Sequence, residues 1–215
     1  MTNIKINAIK YGNSVLQDSL IFRDGNENSF SNISFIIYLV KIEKKNILID
    51  AGCKTMPGFY MENFIGSVDA LKRTGISTDM ITDVVITHAH HDHIECVNEF
   101  EKAVIHIQKD EYEYGKKYIT KNKNINIFDD ECCITDDVKV LKIGGHTVGS
   151  CIVEVNCDDR CVVIVGDECY SHECIVKQIP TGNSASIEKS IEFIRKYSDS
   201  KYKLMFCHDE QIIGE

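Results

Sequence analysis

A cluster of histidines at the end of a strand-like run constrains this chain more than any other feature of its sequence. Residues 83–87 are rich in β-branched side chains, and four histidines and one aspartate come next: His88, His90, His91, Asp92 and His93. In extended backbone His88 and His90 project to the same side, so they can share one metal ion. Asp92 and His93 follow closely enough to hold a second ion. The alternative, a solvated histidine-rich loop, is disfavoured because several ligand-type residues recur at short spacing.

The ligand types in this cluster indicate which metals it would bind. Imidazole and carboxylate groups suit zinc first, with iron, manganese or cobalt as alternatives. Two such ions about 3.5–4 Å apart are a common device of hydrolytic enzymes. The cluster therefore predicts a site for two divalent metal ions.

Length and charge narrow the classes of function. The chain has 215 residues, of which 43% are hydrophobic and 27% charged, and we expect a single globular domain over residues 1–215. Its net charge of −9, with lysines scattered along the chain, argues against a nucleic-acid partner. The N-terminus has no apolar leader-like segment, and the apolar run 35–40 is too short to span a bilayer. We therefore expect no membrane partner and a cytoplasmic location.

Ten cysteines are scattered along the chain, and none forms a C-x-x-C pair. This pattern indicates a reducing compartment more than a disulfide scaffold. Most of these cysteines are predicted to be small buried apolar residues. Cys169, His172 and Cys174 lie close together in sequence and leave open a soft-metal site, although burial is the favoured alternative.

The first part of the chain has the pattern of a β-meander. Residues 4–9, 33–42 and 46–50 are predicted strands, with a hairpin between the second and the third. Asp50 ends the third strand. It is either a turn residue or a carboxylate that orients a ligating histidine.

Residues 53–66 contain three aromatic residues and two methionines without clear periodicity. This segment is either the wall of an apolar substrate pocket or a loop pinned to the core by Phe59 and Phe64. A short helix over 67–74 follows, with Ser67 as its predicted N-cap.

Helices and strands then alternate through the rest of the chain. Helices are predicted over 94–100, 109–117 and 184–197, and strands over 83–87, 103–107, 138–143, 151–155, 161–165 and 203–207. In the last helix Ile187, Ile191 and Ile194 form the predicted buried stripe. His106 lies inside a strand, where an ordinary face-directed histidine is more common than a ligand.

Three later strand ends each present a ligand-type residue: His146 in a glycine-rich turn, Asp167 after a buried strand, and His208 after the last strand. A buried carboxylate such as Asp167 is costly unless it is paired or bound to a metal. Tyr170 follows three residues later and can point its phenol toward the same site. Four separate strand ends therefore offer ligands.

Taken in this order, the motifs resemble those of the metallo-β-lactamase superfamily. Its His-x-His-x-Asp-His motif matches residues 88–93, and the chain continues with Gly145-His146-Thr147, Gly166-Asp167 and Cys207-His208-Asp209. The resemblance implies the family's α/β fold, an αβ/βα four-layer sandwich of two mixed β-sheets with outer helices. It also implies that His88, His90 and His146 hold one ion, that Asp92, His93 and His208 hold the other, and that Asp167 bridges them.

Within that superfamily the chain is most similar to the N-acyl homoserine lactonases, which are quorum-quenching enzymes. Tyr170 stands three residues after Asp167, where that family uses a tyrosine to contact the substrate carbonyl. The chain departs from the family's pattern at two places. After His93 the family usually has small residues, often Ala-Gly-Gly, whereas Ile94-Glu95-Cys96 is bulkier and acidic, and His91 stands where lactonases often have an apolar residue. Segment 53–66 is also shorter than usual, so the roles of these features stay open.

The resemblance implies a metal-dependent hydrolase that opens a homoserine lactone ring by attack of a metal-bridging hydroxide. Tyr170 would stabilise the developing oxyanion, and Asp92 would pass a proton to the departing alkoxide. The alternatives are hydrolysis of another ester or thioester, as in glyoxalase II-like enzymes, and a non-catalytic metal-binding or sensing protein. We expect a small-molecule substrate. The oligomeric state is left open, with a homodimer among the alternatives.

Overall fold

Parallel strands form the centre of the first sheet. The computed structural model describes residues 3–209. The strands of this sheet are Ile4–Gln17 (β1), Phe30–Ile42 (β2), Lys45–Ile49 (β3), Asp83–Ile86 (β4), Val104–Gln108 (β5) and Ile125–Phe128 (β6). They are ordered β1-β2-β3-β4-β5-β6, so the first three are neighbours as a meander requires. The predicted hairpin of β2 and β3 is confirmed, and β3 to β6 run parallel, which makes the sheet mixed.

Burial on both faces explains the continuous apolar sequences of β3 and β4. Ile47, Leu48, Val84 and Val85 are all fully buried. This is the pattern of parallel strands that are covered on both sides. Because parallel strands end at the same edge of a sheet, the residues that follow β3 and β4 are brought together at that edge.

The second sheet is also mixed. Its strands are Glu131–Cys133 (β7), Val138–Lys142 (β8), Cys151–Asn156 (β9), Cys161–Ile164 (β10) and Tyr202–Met205 (β11). They are ordered β11-β10-β9-β8-β7, with β7 to β10 antiparallel and β11 parallel to β10. Asp167 and His208 follow the two parallel strands, so both leave the sheet at the same edge. His146 lies in the turn between β8 and β9, which is closed by hydrogen bonds from Ile143 N and Gly144 N to Ser150 O at 2.8 and 3.0 Å.

The α-helices are Asp18–Ile21 (α1), Ser67–Arg73 (α2), His91–Ile94 (α3), Lys109–Gly115 (α4), His172–Lys177 (α5) and Ile187–Tyr197 (α6), and 3₁₀ turns cover Thr78–Met80 and Glu95–Glu99. Helix α6 contributes Phe193, Ile194 and Tyr197 to a core cluster that contains Ile152 and Val163 of the second sheet. The predicted helix is confirmed, but of the predicted stripe only Ile194 is buried, whereas Ile187 and Ile191 are partly exposed.

Two helix predictions are wrong in detail. Ser67 is not the N-cap of α2, because Gly66 holds that position with a φ of 77°. The Ser67 hydroxyl donates instead to Ala51 O at 2.7 Å. The helix predicted over 94–100 is replaced by α3 and the 3₁₀ turn after it, since the helical backbone already begins at His91.

Contacts divide the described residues into two compact units. One contains residues 3–13 and Phe35–Asp129, and the other contains Ser14–Ser34 and residues 130–209. The single domain expected over 1–215 stays a prediction. All ten cysteines fall within residues 3–209, and none of them forms a disulfide. Over the same residues, no helix combines the length and the apolar character that crossing a membrane would require.

Candidate metal centre

The first ligand group consists of His88, His90, Asp92 and His93, which follow β4 in the first unit. His88 is fully buried, and its Nε2 lies 3.0 Å from His90 Nδ1. The two rings meet edge to face, with centroids 4.6 Å apart. Two imidazole nitrogens at this separation are arranged like two ligands of one ion, because each would lie about 2.0–2.1 Å from a bound zinc.

His93 and Asp92 form a second pair within the same group. His93 Nε2 lies 3.5 Å from Asp92 Oδ2. The ring of His93 lies 4.0 Å from that of His88, centroid to centroid. The group therefore separates into two adjacent pairs of donors.

Asp50, at the end of β3, has the contacts that an orienting carboxylate needs. It is buried, and its Oδ2 lies 2.8 Å from His93 Nδ1. Thr87 N donates to Oδ1 at 2.8 Å, and the Thr87 hydroxyl donates to Oδ2 at 2.9 Å. A hydrogen bond at Nδ1 directs the Nε2 of His93 toward a metal position. Of the two alternatives for Asp50, these contacts favour orientation of a histidine over a simple turn.

The second ligand group consists of His146, Asp167 and His208 in the second unit, and all three are buried. The Asp167 carboxylate lies between the two histidines. Its Oδ1 is 3.1 Å from His208 Nε2, and its Oδ2 is 3.6 Å from His146 Nε2. His208 Nδ1 donates to Ser34 O at 2.8 Å, which directs Nε2 toward Asp167. Each carboxylate oxygen thus faces a different imidazole, as in a bridging ligand.

Tyr170 lies beside this second group. Its ring centroid is 4.8 Å from that of His208 and 6.1 Å from that of His146. The side chain is buried, with 7% of its surface exposed. The proximity that the sequence predicted for this phenol is present within the second unit.

Glu168 is a functional candidate that the sequence reasoning missed. It is fully buried, and its Oε1 accepts hydrogen bonds from Gly145 N at 3.2 Å, from His146 N at 3.3 Å and from the Ser150 hydroxyl. Burial raises the pKa of Glu168 to about 7, although these hydrogen bonds act to lower it. The carboxyl group therefore holds the turn that carries His146. A second acidic residue directly after the buried Asp167 was the available signal.

Gly145 is required for this arrangement. A Cβ atom at this position would clash with Glu168 Oε2 and would lie 2.5 Å from the Ser190 hydroxyl oxygen. The backbone can approach the carboxyl group closely only because this residue has no side chain.

The other titratable clusters have different arrangements. Cys169 and Cys174 are both fully buried, whereas His172 packs its ring on Phe206 with centroids 6.2 Å apart. Within residues 3–209 these three do not bring their ligand atoms within 4.8 Å of one another, so a soft-metal site is not formed. His106 Nε2 lies 2.9 Å from Asp83 Oδ1, which confirms a structural histidine.

Comparisons with known proteins show the family to which this chain belongs. A family model described as the metallo-β-lactamase superfamily matches residues 36–208. N-acyl homoserine lactonase AiiA from Bacillus thuringiensis subsp. kurstaki is 24% identical, over 97% of this chain and 94% of that protein. N-acyl homoserine lactonase AiiB from Agrobacterium fabrum is 24% identical, over 81% of this chain and 79% of that protein.

Structural similarity extends over nearly the whole chain. A solved structure of N-acyl homoserine lactone hydrolase, with the product N-hexanoyl-L-homoserine bound at its catalytic metal centre, superimposes with a TM-score of 0.85. The sequence identity is 22%, and the match covers 99% of this chain and 96% of that one. The predicted fold class is confirmed by this similarity. The family match covers well over half of the chain, which therefore belongs to the metallo-β-lactamase superfamily and is a metal-dependent hydrolase.

Proposed function

We propose that this hydrolase opens the lactone ring of N-acyl homoserine lactones with the aid of two divalent metal ions, zinc being the first choice. The observation that carries the proposal is the packing of Tyr170 against His208, 4.8 Å between ring centroids, with His146 and Asp167 alongside. The similarity to lactonases over 97% of the chain supports the substrate class. Removal of such lactones would make the protein a quorum-quenching enzyme.

The donor set fits two divalent ions. It contains five imidazoles and two carboxylates, which are ligands that zinc accepts readily. We assign His88, His90 and His146 to one ion, Asp92, His93 and His208 to the other, and Asp167 to both. The pairing of His88 with His90, and of Asp92 with His93, supports this division within the first group. When bound, the ions would lower the pKa of water and polarise the carbonyl under attack.

The protein's own side chains would handle the charge and the protons. In lactone hydrolysis, water adds to the carbonyl carbon, and the bond from that carbon to the ring oxygen breaks. The Tyr170 hydroxyl would donate a hydrogen bond to the carbonyl oxygen as negative charge develops on it. Asp92 would carry the proton that the departing ring oxygen needs. The substrate is then a small molecule, and the reducing cytoplasm is compatible with ten cysteines that form no disulfide.

Two substitutions separate metal binding from chemistry. Asp167→Asn should lose bound metal, because a bridging ligand is weakened. Tyr170→Phe should retain metal and lower kcat by about 100-fold, as expected when one oxyanion donor is removed. Metal content and the hydrolysis rates of acyl homoserine lactones, simple esters and thioesters are measured together. Tyr114→Phe is the control, since Tyr114 is 63% exposed on α4.

The substrate panel decides between this function and its rivals. Metal-loaded protein that cleaves a thioester or another ester but leaves lactones intact would rule out the lactonase assignment. Metal-loaded protein inert toward every substrate would favour the non-catalytic alternative.

A further inference from the structure

Glu95 and His91, which both belong to the departures from the family's pattern, contact the segment 53–60. Glu95 Oε2 accepts hydrogen bonds from Lys54 N at 2.8 Å and from Thr55 N at 2.9 Å. Its Oε1 accepts a third from the Thr55 hydroxyl at 2.7 Å. A carboxylate that receives two backbone N–H groups and a hydroxyl fixes both the position and the direction of the chain that donates them.

His91 contributes a second contact to the same residue. Its Nε2 lies 3.0 Å from the Thr55 hydroxyl and 3.1 Å from Thr55 O. It also lies 3.3 Å from Glu95 Oε2, and its position four residues before Glu95 places both side chains on one face. Thr55 is therefore held from two sides.

A metal site is the competing interpretation of this cluster. Cys53, His91 and Glu95 bring ligand atoms within 4.8 Å of one another. However, both carboxylate oxygens of Glu95 already accept hydrogen bonds, three in all. The hydrogen bonds that Glu95 and His91 form with Lys54 and Thr55, which we call the clamp, therefore account for these contacts better than a bound ion does.

The clamped segment is also connected to the metal-binding motif through aromatic rings. Phe59 packs on Phe35 with centroids 5.8 Å apart, and Phe35 packs on Tyr11 at 5.9 Å. The Tyr11 hydroxyl donates to Asp92 O at 2.7 Å. These contacts place the segment beside the backbone of the metal-binding motif.

Two apolar side chains project from this segment into solvent. Met56 is 43% exposed and Tyr60 is 73% exposed. Large exposed apolar groups on an ordered loop beside a metal-binding motif are suited to contact an apolar part of a substrate. The hydrogen bonds from Lys54 and Thr55 to Glu95 fix the backbone directly before Met56.

We propose that Glu95 and His91 are positioning residues that determine substrate specificity by holding residues 53–60 as a preformed wall for the acyl chain. The inference rests on the proposed lactonase function. A wall that is ordered before binding spares the entropy cost of ordering it in the complex. The clamp should therefore affect the affinity for long acyl chains and leave the hydrolytic step unchanged.

The test compares Glu95→Ala and His91→Ala with the control Glu99→Ala. Glu99 pairs with Lys54 of the same segment at 2.7 Å, but both side chains are well exposed, so this pair should contribute little. We expect the KM for a decanoyl lactone to rise about tenfold in Glu95→Ala, with the KM for a butanoyl lactone and both kcat values within about twofold. Glu95→Gln, which keeps one acceptor oxygen, should recover part of the decanoyl affinity.

Hydrogen exchange tests the clamp independently of activity. The amides of Lys54 and Thr55 should exchange faster in Glu95→Ala than in the wild type, and at wild-type rates in Glu99→Ala. If the wild type cleaves no lactone, the proposed function fails, whereas unchanged exchange in Glu95→Ala would overturn the clamp. Equal losses of kcat for both chain lengths, or loss of one bound metal ion in Glu95→Ala or His91→Ala, would also overturn it.

Discussion

At the scale of single residues, Asp50 shows how a buried carboxylate can serve two purposes. It orients His93 through Nδ1, and it accepts two hydrogen bonds from Thr87. Its backbone adopts a φ of 63°, which aspartate and asparagine tolerate better than most other side chains. Asparagine at this position would keep the backbone conformation and replace one acceptor oxygen by a donor.

We expect Asp50→Asn to weaken metal binding by about 10- to 100-fold, because the ring of His93 loses its orienting acceptor. Competition with a chelator measures this affinity. Asp69→Asn is the control, since that side chain is 67% exposed on α2. Wild-type metal affinity in Asp50→Asn would show that Asp50 has only a turn-forming role.

The ligand candidates could be predicted from sequence because each follows an apolar strand, and a strand end is visible in a single sequence. The contacts that support these ligands could not be predicted from the sequence. Glu168 touches the backbone of Gly145 and His146, more than twenty positions away, and Glu95 touches Thr55, forty positions away. No local pattern records such pairings, since they arise only when strands and turns are brought together.

At the scale of secondary structure, α6 shows the difference between a helical pattern and the face that is buried. The isoleucine stripe predicted the helix, but Ile187 and Ile191 are only partly buried. Ser190, Phe193, Ile194 and Tyr197 form the covered face. The Tyr197 hydroxyl donates to Glu154 Oε1 at 2.7 Å, which fixes the rotation of the helix.

Phe193→Ala should lower the free energy of unfolding by about 3–5 kcal/mol, because it leaves a cavity in a buried cluster. Ile191→Ala should cost about 1 kcal/mol, since its side chain is already partly solvated. Chemical denaturation of both variants measures the difference. Equal destabilisation would mean that Ile191 belongs to the core face of the helix.

Sheet edges account for the strands that were not predicted. β6 and β7 are each the terminal strand of their sheet, and both contain exposed or half-buried residues. Edge strands need less apolar sequence, so periodicity marks them weakly. The sequence predicts Ser67 as an N-cap, but in the structure its hydroxyl donates to Ala51 O, sixteen residues earlier in the chain. A contact at that distance along the chain leaves no local sequence signal.

At the scale of the whole molecule, the fold could be predicted because the ligands follow successive strand ends in the family's order. The partition of the chain into two contact units could not be predicted, since residues 14–34 belong with residues 130–209 and not with their sequence neighbours. Long-range pairing of this kind leaves no signal in composition or charge.

A buried polar network across the first sheet links the stability of the molecule to pH. Asp83 on β4 accepts hydrogen bonds from Lys45 on β3 at 2.8 and 2.9 Å, and from the Thr82 hydroxyl at 2.7 Å. His106 Nε2 on β5 lies 2.9 Å from the same carboxylate. On β6, Asn126 Nδ2 donates to His106 Nδ1 at 3.0 Å, which leaves the Nε2 proton for Asp83. Four strands therefore depend on one ionised side chain.

Burial alone would raise the pKa of Asp83, but hydrogen bonds from His106, Lys45 and Thr82 outweigh it and lower the pKa from 3.8 to about 2. A carboxyl group with a lowered pKa in the folded state stabilises that state when it is ionised. The stabilisation is complete above the pKa of the unfolded state, about 4, and it is lost as the pH falls to about 2. We therefore expect Asp83→Asn to be less stable than the wild type by about 1–2 kcal/mol at pH 7. The difference should shrink below pH 4. Denaturation of both proteins in the presence of a chelator measures this difference without a contribution from metal loss. Asp79→Asn is the control, because the side chains of Asp79 and its partner Lys102 are both 67% exposed, and its free energy of unfolding should match that of the wild type at every pH. A stability difference that stays constant from pH 7 to pH 2 would show that the Asp83 network contributes packing and not charge.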